Sequence, residues 1–263
     1  MTATPRLIVV TGATRGIGRA TALAFAASGA HVVVHGRHER DAARVAEEVR
    51  AAGGQATTIM GDLCDPDACA TLVQKAADLQ GHIDVLVNNA GANAFYGIRE
   101  TTLAQWEDCM NLDLRASWLC AKAAAAVMPR GGSIINITSN HARATLPGSF
   151  PYNVAKAGAE ALTTALAIDL ASDGIRVNAV APGYVDTPIN DAYFATFADP
   201  AAARTSANGL HLTGRLAYDY EIASAIEFLA DPWRSASTTG TVLTIDGGRA
   251  ALLEDRRPQG ETA

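Results

Sequence analysis

Tyr152 and Lys156 stand four residues apart in a stretch with helical patterning, so their side chains share one face. That pairing has a plain chemical use. A phenol with a reference pKa of about 10 is a poor proton donor and acceptor at neutral pH. A nearby ammonium and a helix N-terminus both stabilise phenolate and bring that value down. Ser149 and Pro151, just upstream, are residue types expected at a helix start. By spacing alone, a packed tyrosine followed by a solvated lysine is the commoner arrangement. Two features weigh against it. The chain has only three lysines (75, 122 and 156) among its 21 Lys and Arg residues, and one falls where a compact ammonium is needed. Ser139 lies 13 residues before Tyr152, at the end of an apolar β-branched run. Strand C-termini border the ligand crevice of open α/β sheets, and a hydroxyl there can donate to a substrate oxygen.

A second constellation lies near the start of the chain. Thr11-Gly12-Ala13-Thr14-Arg15-Gly16-Ile17-Gly18 follows the first apolar run and opens a helical stretch. Gly12 allows a tight strand exit, while Gly16 and Gly18 let backbone approach a pyrophosphate at the helix N-terminus. The free N–H groups and positive dipole end there favour an anion. Glycine patterns alone occur in ordinary turns; a strand before and a helix after favour the nucleotide reading.

The elements that must carry these residues alternate. Residues 7–10, 31–34, 56–60, 85–88, 133–138, 176–181 and 242–245 read as strands. Helical stretches occupy 18–28, 39–52, 65–79, 103–128 (broken near Asn111), 152–171 and 221–230. Continuously hydrophobic strands alternating with helices predict an α/β chain with a Rossmann-type, doubly wound parallel sheet of about seven strands, helices on both faces. No composition break divides it, so residues 1–251 are expected to form one domain. Residues 187–213 interrupt the alternation as a small helical lid over the substrate. Residues 252–263 are polar and read as a frayed tail.

Composition excludes several function classes. The 263 residues are 49% hydrophobic and 18% charged with a net charge of −6, and no Lys/Arg run exceeds the pair Arg256-Arg257. A nucleic-acid footprint is therefore not expected. The longest apolar stretch, 123–128, is far short of the roughly 20 residues that span a bilayer, so no membrane partner is expected. The apolar run from Leu7 stops at Thr11-Gly12, too short for a signal-peptide core. A cytoplasmic location is the expectation. Cys64, Cys69, Cys109 and Cys120 form no CxxC pair and read as free thiols of a reducing compartment. The six histidines include no HExxH or HxH, and no metal is expected.

The T-G-x-x-x-G-x-G turn resembles the short-chain dehydrogenase/reductase family, and the resemblance runs on in order over residues 7–248. Asp62-Leu63 looks like the pair that contacts adenine. Asn88-Asn89-Ala90-Gly91 matches the N-N-A-G motif bordering the cofactor. Asn111 sits where the family carries its helix-breaking catalytic Asn. Pro182-Gly183 with Thr187 resembles the P-G-x-x-x-T segment at the nicotinamide, and Asp246-Gly247-Gly248 is similar to the late D-G-G turn. The resemblance implies cofactor contacts from Gly12, Thr14, Arg15, Gly16, Ile17, Gly18, Arg37, Asp62, Leu63, Asn89, Ala90, Gly91, Tyr152, Lys156, Pro182, Gly183, Val185 and Thr187. It makes Asn111, Ser139, Tyr152 and Lys156 the catalytic set of a carbonyl–alcohol oxidoreductase. In that set Ser139 steadies the carbonyl oxygen, Tyr152 exchanges the proton, Lys156 lowers the tyrosine pKa and holds the nicotinamide ribose, and Asn111 positions a water.

The resemblance also guides the choice of cofactor. NAD-preferring relatives carry an acidic residue at the end of the second strand; here Gly36 and then Arg37 stand there. A carboxylate would repel a 2′-phosphate and a guanidinium pairs with it. Arg15 is a second such cation. Ordinary surface arginines are the competing reading, but Gly36 removes the NAD determinant independently. NADP(H) is the expectation.

Ser139, His141, Tyr152 and Tyr184 are expected to face a small-molecule carbonyl or alcohol, with lid residues Tyr193, Phe194 and Phe197 adding apolar area. No paired arginines mark the lid, so no anionic handle is expected on the substrate. A 3-oxoacyl thioester or small ketone leads, with sugar, polyol or steroid substrates as the alternative. A non-catalytic NADP(H) sensor should lack the tyrosine or the lysine. Enoyl reductases of the family place lysine seven residues after tyrosine, where this chain has Ala159. The Ala-rich segments 115–128 and 155–170 resemble helices that pair family members, and a homotetramer is expected.

Overall fold

The computed structural model describes residues 4–252. Its seven-stranded sheet is built from β1 (Leu7–Val10), β2 (His31–Gly36), β3 (Gln55–Met60), β4 (Val85–Asn88), β5 (Ser133–Ile137), β6 (Arg176–Pro182) and β9 (Val242–Ile245). The strand order is β3-β2-β1-β4-β5-β6-β9, and every pairing is parallel. Four central strands, β1, β4, β5 and β6, are buried at every residue. That is why they read as mainly apolar runs rather than alternating ones.

Helices cover both faces. On one side α1 (Gly16–Ala27), α2 (Glu39–Ala51) and α9 (Asp219–Ala230) bury Phe25, Val45 and Ile226 against Ile8, Val10 and Val32. On the other, α3 (Pro66–Ala77) and α5 (Ala116–Ala125) bury Leu72 and Cys120 against Leu7, Leu86 and Ile134. α6 (Tyr152–Asp169) completes that layer through Ala167. The chain order reverses between β1 and β4, so their C-terminal ends open the crevice in which such sheets bind ligands.

Local chemistry fixes the helix starts. Asp65 caps α3 by accepting from Asp67 N–H at 3.0 Å, with Pro66 in the first turn. Thr102 and Gln105 form a capping box at α4 (Leu103–Met110). The α-helical pattern is interrupted at Asn111, as expected, though the chain keeps its direction. A π-helical turn, Asn111–Arg115, joins α4 to α5 without leaving the helical path. α6 starts directly at Tyr152, with Pro151 in the capping position and no side-chain cap.

The segment 187–213 folds into α7 (Pro188–Phe194) and α8 (Pro200–Gly209). It is tied down by a two-residue parallel ladder, β7 (Val185–Asp186) with β8 (Ala217–Tyr218), that has no counterpart in the sequence reading. Strands this short carry no periodicity to detect. Three cysteines are buried and Cys64 is half-buried, all as free thiols. Among the described residues no helix is long and apolar enough to cross a membrane, and no cluster suited to a metal ion occurs. Of the expected tail, residues 253–263 lie outside the described residues.

Candidate active site

A cavity of about 390 Å³ opens at the C-terminal ends of the strands. Lys156 lies in its floor, one turn into α6 and only 5% exposed. Its Nζ donates to the Ile137 carbonyl at the end of β5 (3.2 Å) and forms an ion pair with Asp113 Oδ1 at 3.0 Å. The same ammonium stands 5.5 Å from the Tyr152 ring centroid. Phe95 packs edge-on against Tyr152 at 5.2 Å, and His141 at 6.0 Å. The Tyr152 N–H donates to the Ala94 carbonyl, joining α6 to the segment that follows β4.

Ser139 is buried two residues past β5. Its Oγ accepts the His141 N–H at 3.2 Å, which leaves the hydroxyl proton free to donate. Burial holds the Tyr152 phenol above its ordinary range; Lys156 and the Ser139 hydroxyl pull against that, and Asp113 adds to it. Burial also pulls the Lys156 ammonium down, but Asp113 and Tyr152 more than reverse this, and its pKa is raised. The Asp113 carboxyl is pushed up by burial against the opposing pull of Lys156 and the Ala92 N–H. Cys109 packs beneath, its thiol driven up to about 12 by burial and the nearby Asp113 carboxylate, and so stays protonated.

Two expected residues do not reach the cavity. Asn111 is not among its lining residues; Asp113 is. The π turn bonds each N–H to a carbonyl five residues back, so the helix is locally wider and different positions face inward than a regular helix would present. Asp113 takes the place beside Lys156, where its carboxylate accepts the Ala92 N–H. A Cβ at Gly91 would lie 2.5 Å from Asp113 Oδ1, so the glycine there makes room for this carboxylate. Gly18 is the second residue outside the lining. It is buried in α1, away from the cavity, and a Cβ there would meet the Gly12 carbonyl oxygen at 2.4 Å. Its small size serves the packing of helix against turn rather than the approach of a ligand.

The other expected site residues line the cavity together. Gly12 and Gly16 adopt positive φ (63° and 51°), which bends the chain from β1 into α1. No side chain caps α1, so its first N–H groups point toward the cavity free of side-chain partners. Asn89 braces the turn from behind, donating to the Thr11 carbonyl (2.8 Å) and the Gly12 carbonyl (3.1 Å). Thr187 meets the turn from the opposite wall, where a Cβ on Gly16 would lie 3.2 Å from its Cγ2. Pro182, Gly183, Tyr184 and Val185 continue that wall, and Asp62 and Leu63 close the far end. Arg15 and Arg37 also line the cavity, and neither forms an ion pair among the described residues. This cradle of bent glycines, uncapped helix N-terminus and two cations fits the pyrophosphate of a nicotinamide dinucleotide.

Of the lid aromatics, only Tyr193 faces the cavity. Phe194 is buried within the lid against Ala207 and Leu216, and Phe197 lies outside the lining at 45% exposure. Residues that the sequence reading passed over also belong to the site. Asp113 and Phe95 have been described. Arg249 reaches in from the turn after β9 and stacks 4.7 Å from the Tyr184 ring centroid.

His35 also lines the cavity, and it fastens the turns together. Its Nδ1 accepts the Gly12 N–H at 3.3 Å, and its Nε2 donates to the Gly61 carbonyl at 3.2 Å. Burial lowers its pKa to about 4, against the opposing Gly61 hydrogen bond and Asp62. A histidine whose folded pKa lies below its unfolded value of about 6.5 contributes stability that is present above 6.5 and lost as pH falls toward 4. The loss reaches about 3 kcal/mol at the low end of that window. In an NMR titration the His35 ring should stay neutral until near pH 4; a midpoint near 6.5 in the folded protein would contradict this assignment.

A family model described as enoyl-(acyl carrier protein) reductase matches residues 12–250. The chain is 40% identical over 250 residues to cis-4-hydroxycyclohexanecarboxylate dehydrogenase of Sinomonas cyclohexanicum, covering 94% of this chain and 97% of that one. It is 38% identical over 248 residues to a 3-oxoacyl-[acyl-carrier-protein] reductase of Synechocystis, covering 93% and 97%. The solved short-chain dehydrogenase/reductase from Serratia marcescens superposes with a TM-score of 0.86 at 34% identity, over 93% of this chain and 98% of that one. With the parallel sheet and the motifs in order along it, these matches make the chain a member of the short-chain dehydrogenase/reductase family, oxidoreductases that act on alcohol and carbonyl groups with a nicotinamide cofactor.

Proposed function

We propose that the chain is an NADP(H)-dependent oxidoreductase that interconverts a ketone and a secondary alcohol, with Ser139, Tyr152 and Lys156 as its catalytic residues. The observation that carries this reading is the convergence of those three side chains on the cavity that also holds the glycine turn. A nicotinamide bound there supplies the hydride in reduction and accepts it in oxidation. Ser139 donates a hydrogen bond to the carbonyl oxygen as negative charge develops on it. Tyr152 gives that oxygen its proton, and in the reverse direction the phenolate removes it. Lys156 stabilises the phenolate, and Asp113, rather than Asn111, fixes the ammonium in place. Ala159 stands seven residues after Tyr152, so the lysine spacing supports carbonyl rather than enoyl reduction. The substrate type is a 3-oxoacyl thioester or a small ketone; of the relatives, the Synechocystis protein is named for a 3-oxoacyl substrate and the Sinomonas protein for a cyclic hydroxy acid. The Ala-rich faces of α5 and α6, which leave Trp118 and Ile168 exposed, support assembly as a homotetramer.

The preference for NADP(H) rests on Arg15 and Arg37. Gly36, the last residue of β2, offers no carboxylate to the adenosine ribose, and a Cβ there would lie 2.5 Å from Thr14 Cγ2. The substitution that isolates the preference is therefore Arg37→Ala rather than Gly36→Asp, which would also displace Thr14. A charge-assisted contact to the 2′-phosphate is worth roughly 1.5–3 kcal/mol. Arg37→Ala should weaken NADPH by about 10- to 150-fold, at 1.4 kcal/mol per tenfold, and leave NADH nearly unchanged. The test is kcat/KM for both cofactors in wild type and Arg37→Ala. A wild type that prefers NADH, or an equal loss for both cofactors, would overturn the choice.

A further inference from the structure

Four cationic side chains line the cavity outside its histidines, and three have a place in the account above. Lys156 is neutralised by Asp113, and Arg15 and Arg37 flank the glycine turn at the dinucleotide end. Arg249 is the fourth. It follows the Asp246-Gly247-Gly248 turn, whose shape is held by Asp246. That carboxylate accepts the Gly248 N–H at 3.0 Å and the Ala250 N–H at 2.8 Å, which occupies it with backbone on either side of Arg249. Among the described residues the Arg249 guanidinium forms no ion pair and no hydrogen bond; it packs on the face of Tyr184. Stacking of this kind orients the planar fork while leaving its N–H edges available.

The surroundings place this charge on the substrate side. Tyr184 stacks on Tyr193 with centroids 6.2 Å apart, Tyr193 meets Phe95 edge-on at 6.2 Å, and Phe95 meets Tyr152 at 5.2 Å. An unbroken aromatic wall thus runs from the proton donor to the guanidinium. Arg249 also acts on His141 across the cavity, where burial first and then the guanidinium lower the imidazole pKa. His141 is therefore neutral at pH 7 and does not compete for an anion. The one carboxylate near the proton donor, Asp113, is committed to Lys156.

We infer that Arg249 is a substrate-binding residue and that the preferred substrate is a ketone or alcohol bearing a carboxylate, its apolar part against the Phe95–Tyr193 wall and its carboxylate paired with Arg249. This deepens the carbonyl–alcohol reading of the same cavity. Arg–carboxylate pairing is frequently bidentate and charge-assisted, which suits a half-buried guanidinium already held flat. It revises the expectation of a substrate without an anionic handle: one arginine arriving from outside the lid supplies what a search for paired lid arginines could not find.

The test uses the full chain with saturating NADP⁺ and compares calorimetric binding of cyclohexanecarboxylate and cyclohexanecarboxamide, which share a ring and differ in charge. Wild type should bind the acid at least tenfold more tightly. Arg249→Gln should bring the ratio close to one, and Arg249→Lys should keep its sign at reduced size. Equal affinity for acid and amide in wild type, or an Arg249→Gln ratio unchanged from wild type, overturns the inference. Reduction of 4-oxocyclohexanecarboxylate and of cyclohexanone, followed in parallel, separates this from the reaction itself. A binding preference for the acid with no turnover of either ketone would support the Arg249 site and refute the proposed reaction. Turnover of cyclohexanone with no preference for the acid would do the reverse.

Discussion

Tyr152→Phe is expected to lower kcat by two to four orders of magnitude while NADPH affinity stays close to that of wild type. Only the hydroxyl is lost. The ring, its edge-on contact with Phe95 and the start of α6 all persist in phenylalanine. General acid catalysis contributes about 10²–10⁴ in rate, and removing a group that acts only in the transition state lowers kcat and kcat/KM together. Steady-state kinetics in the reductive direction with cofactor binding measured separately makes the check. A phenylalanine variant with near-normal kcat would remove Tyr152 from the chemistry.

The second large effect belongs to Asp113. It is 2% exposed, and its partner Lys156 is buried beside it. Truncating one member of a buried ion pair leaves the other charged and unsolvated, at a cost of about 3–5 kcal/mol. Asp113→Ala should therefore be destabilised on that scale in urea unfolding. Asp113→Asn keeps the shape and removes one negative charge, which separates position from electrostatics. A carboxylate near a phenol disfavours phenolate and raises its pKa, so removing the charge should lower the pKa of Tyr152. Oxidation needs phenolate and rises with pH through that pKa; reduction needs phenol and falls through it. Both limbs should move to lower pH in Asp113→Asn. Limbs that stay in place, or that move upward, would show that Asp113 does not act on the tyrosine. A merely structural residue would change stability and leave the pH profile alone.

The sequence reading was strongest where burial is total. The strands β1, β4, β5 and β6 are covered on both faces, so each is mainly apolar, and polar residues within them such as Asn88 and Asn136 pair internally. Tyr152, Lys156 and Ser139 were legible because helix spacing and a strand end determine where they point. Asn111 was chosen by its place in the family's motif order, and the π turn that it begins brings Asp113 to face α6. Gly18 lies outside the cavity lining, where a glycine needed for helix packing and one needed for ligand approach look alike in sequence. Arg249 carried no signal at all. It lies 93 positions beyond Lys156 in the chain, and only the pairing of β9 beside β6 brings its turn to the cavity rim. His35 sits in β2, and its two hydrogen bonds become visible only when the turns after β1 and β3 are seen together.

The most direct test of the account is transfer of the hydride itself. Wild-type protein, NADPH deuterated at nicotinamide C4 and 4-oxocyclohexanecarboxylate should yield an alcohol with deuterium on the carbinol carbon, detected by mass spectrometry, at a rate that Tyr152→Phe cuts by at least a hundredfold, the low end of the range for general acid catalysis. The assay is to be run with both faces of C4 labelled in turn, and with simple ketones, aldehydes and 3-oxoacyl thioesters beside the acid. Protein that binds NADPH yet transfers no label to any of these carbonyls would contradict the catalytic reading and leave a nucleotide-binding protein without turnover.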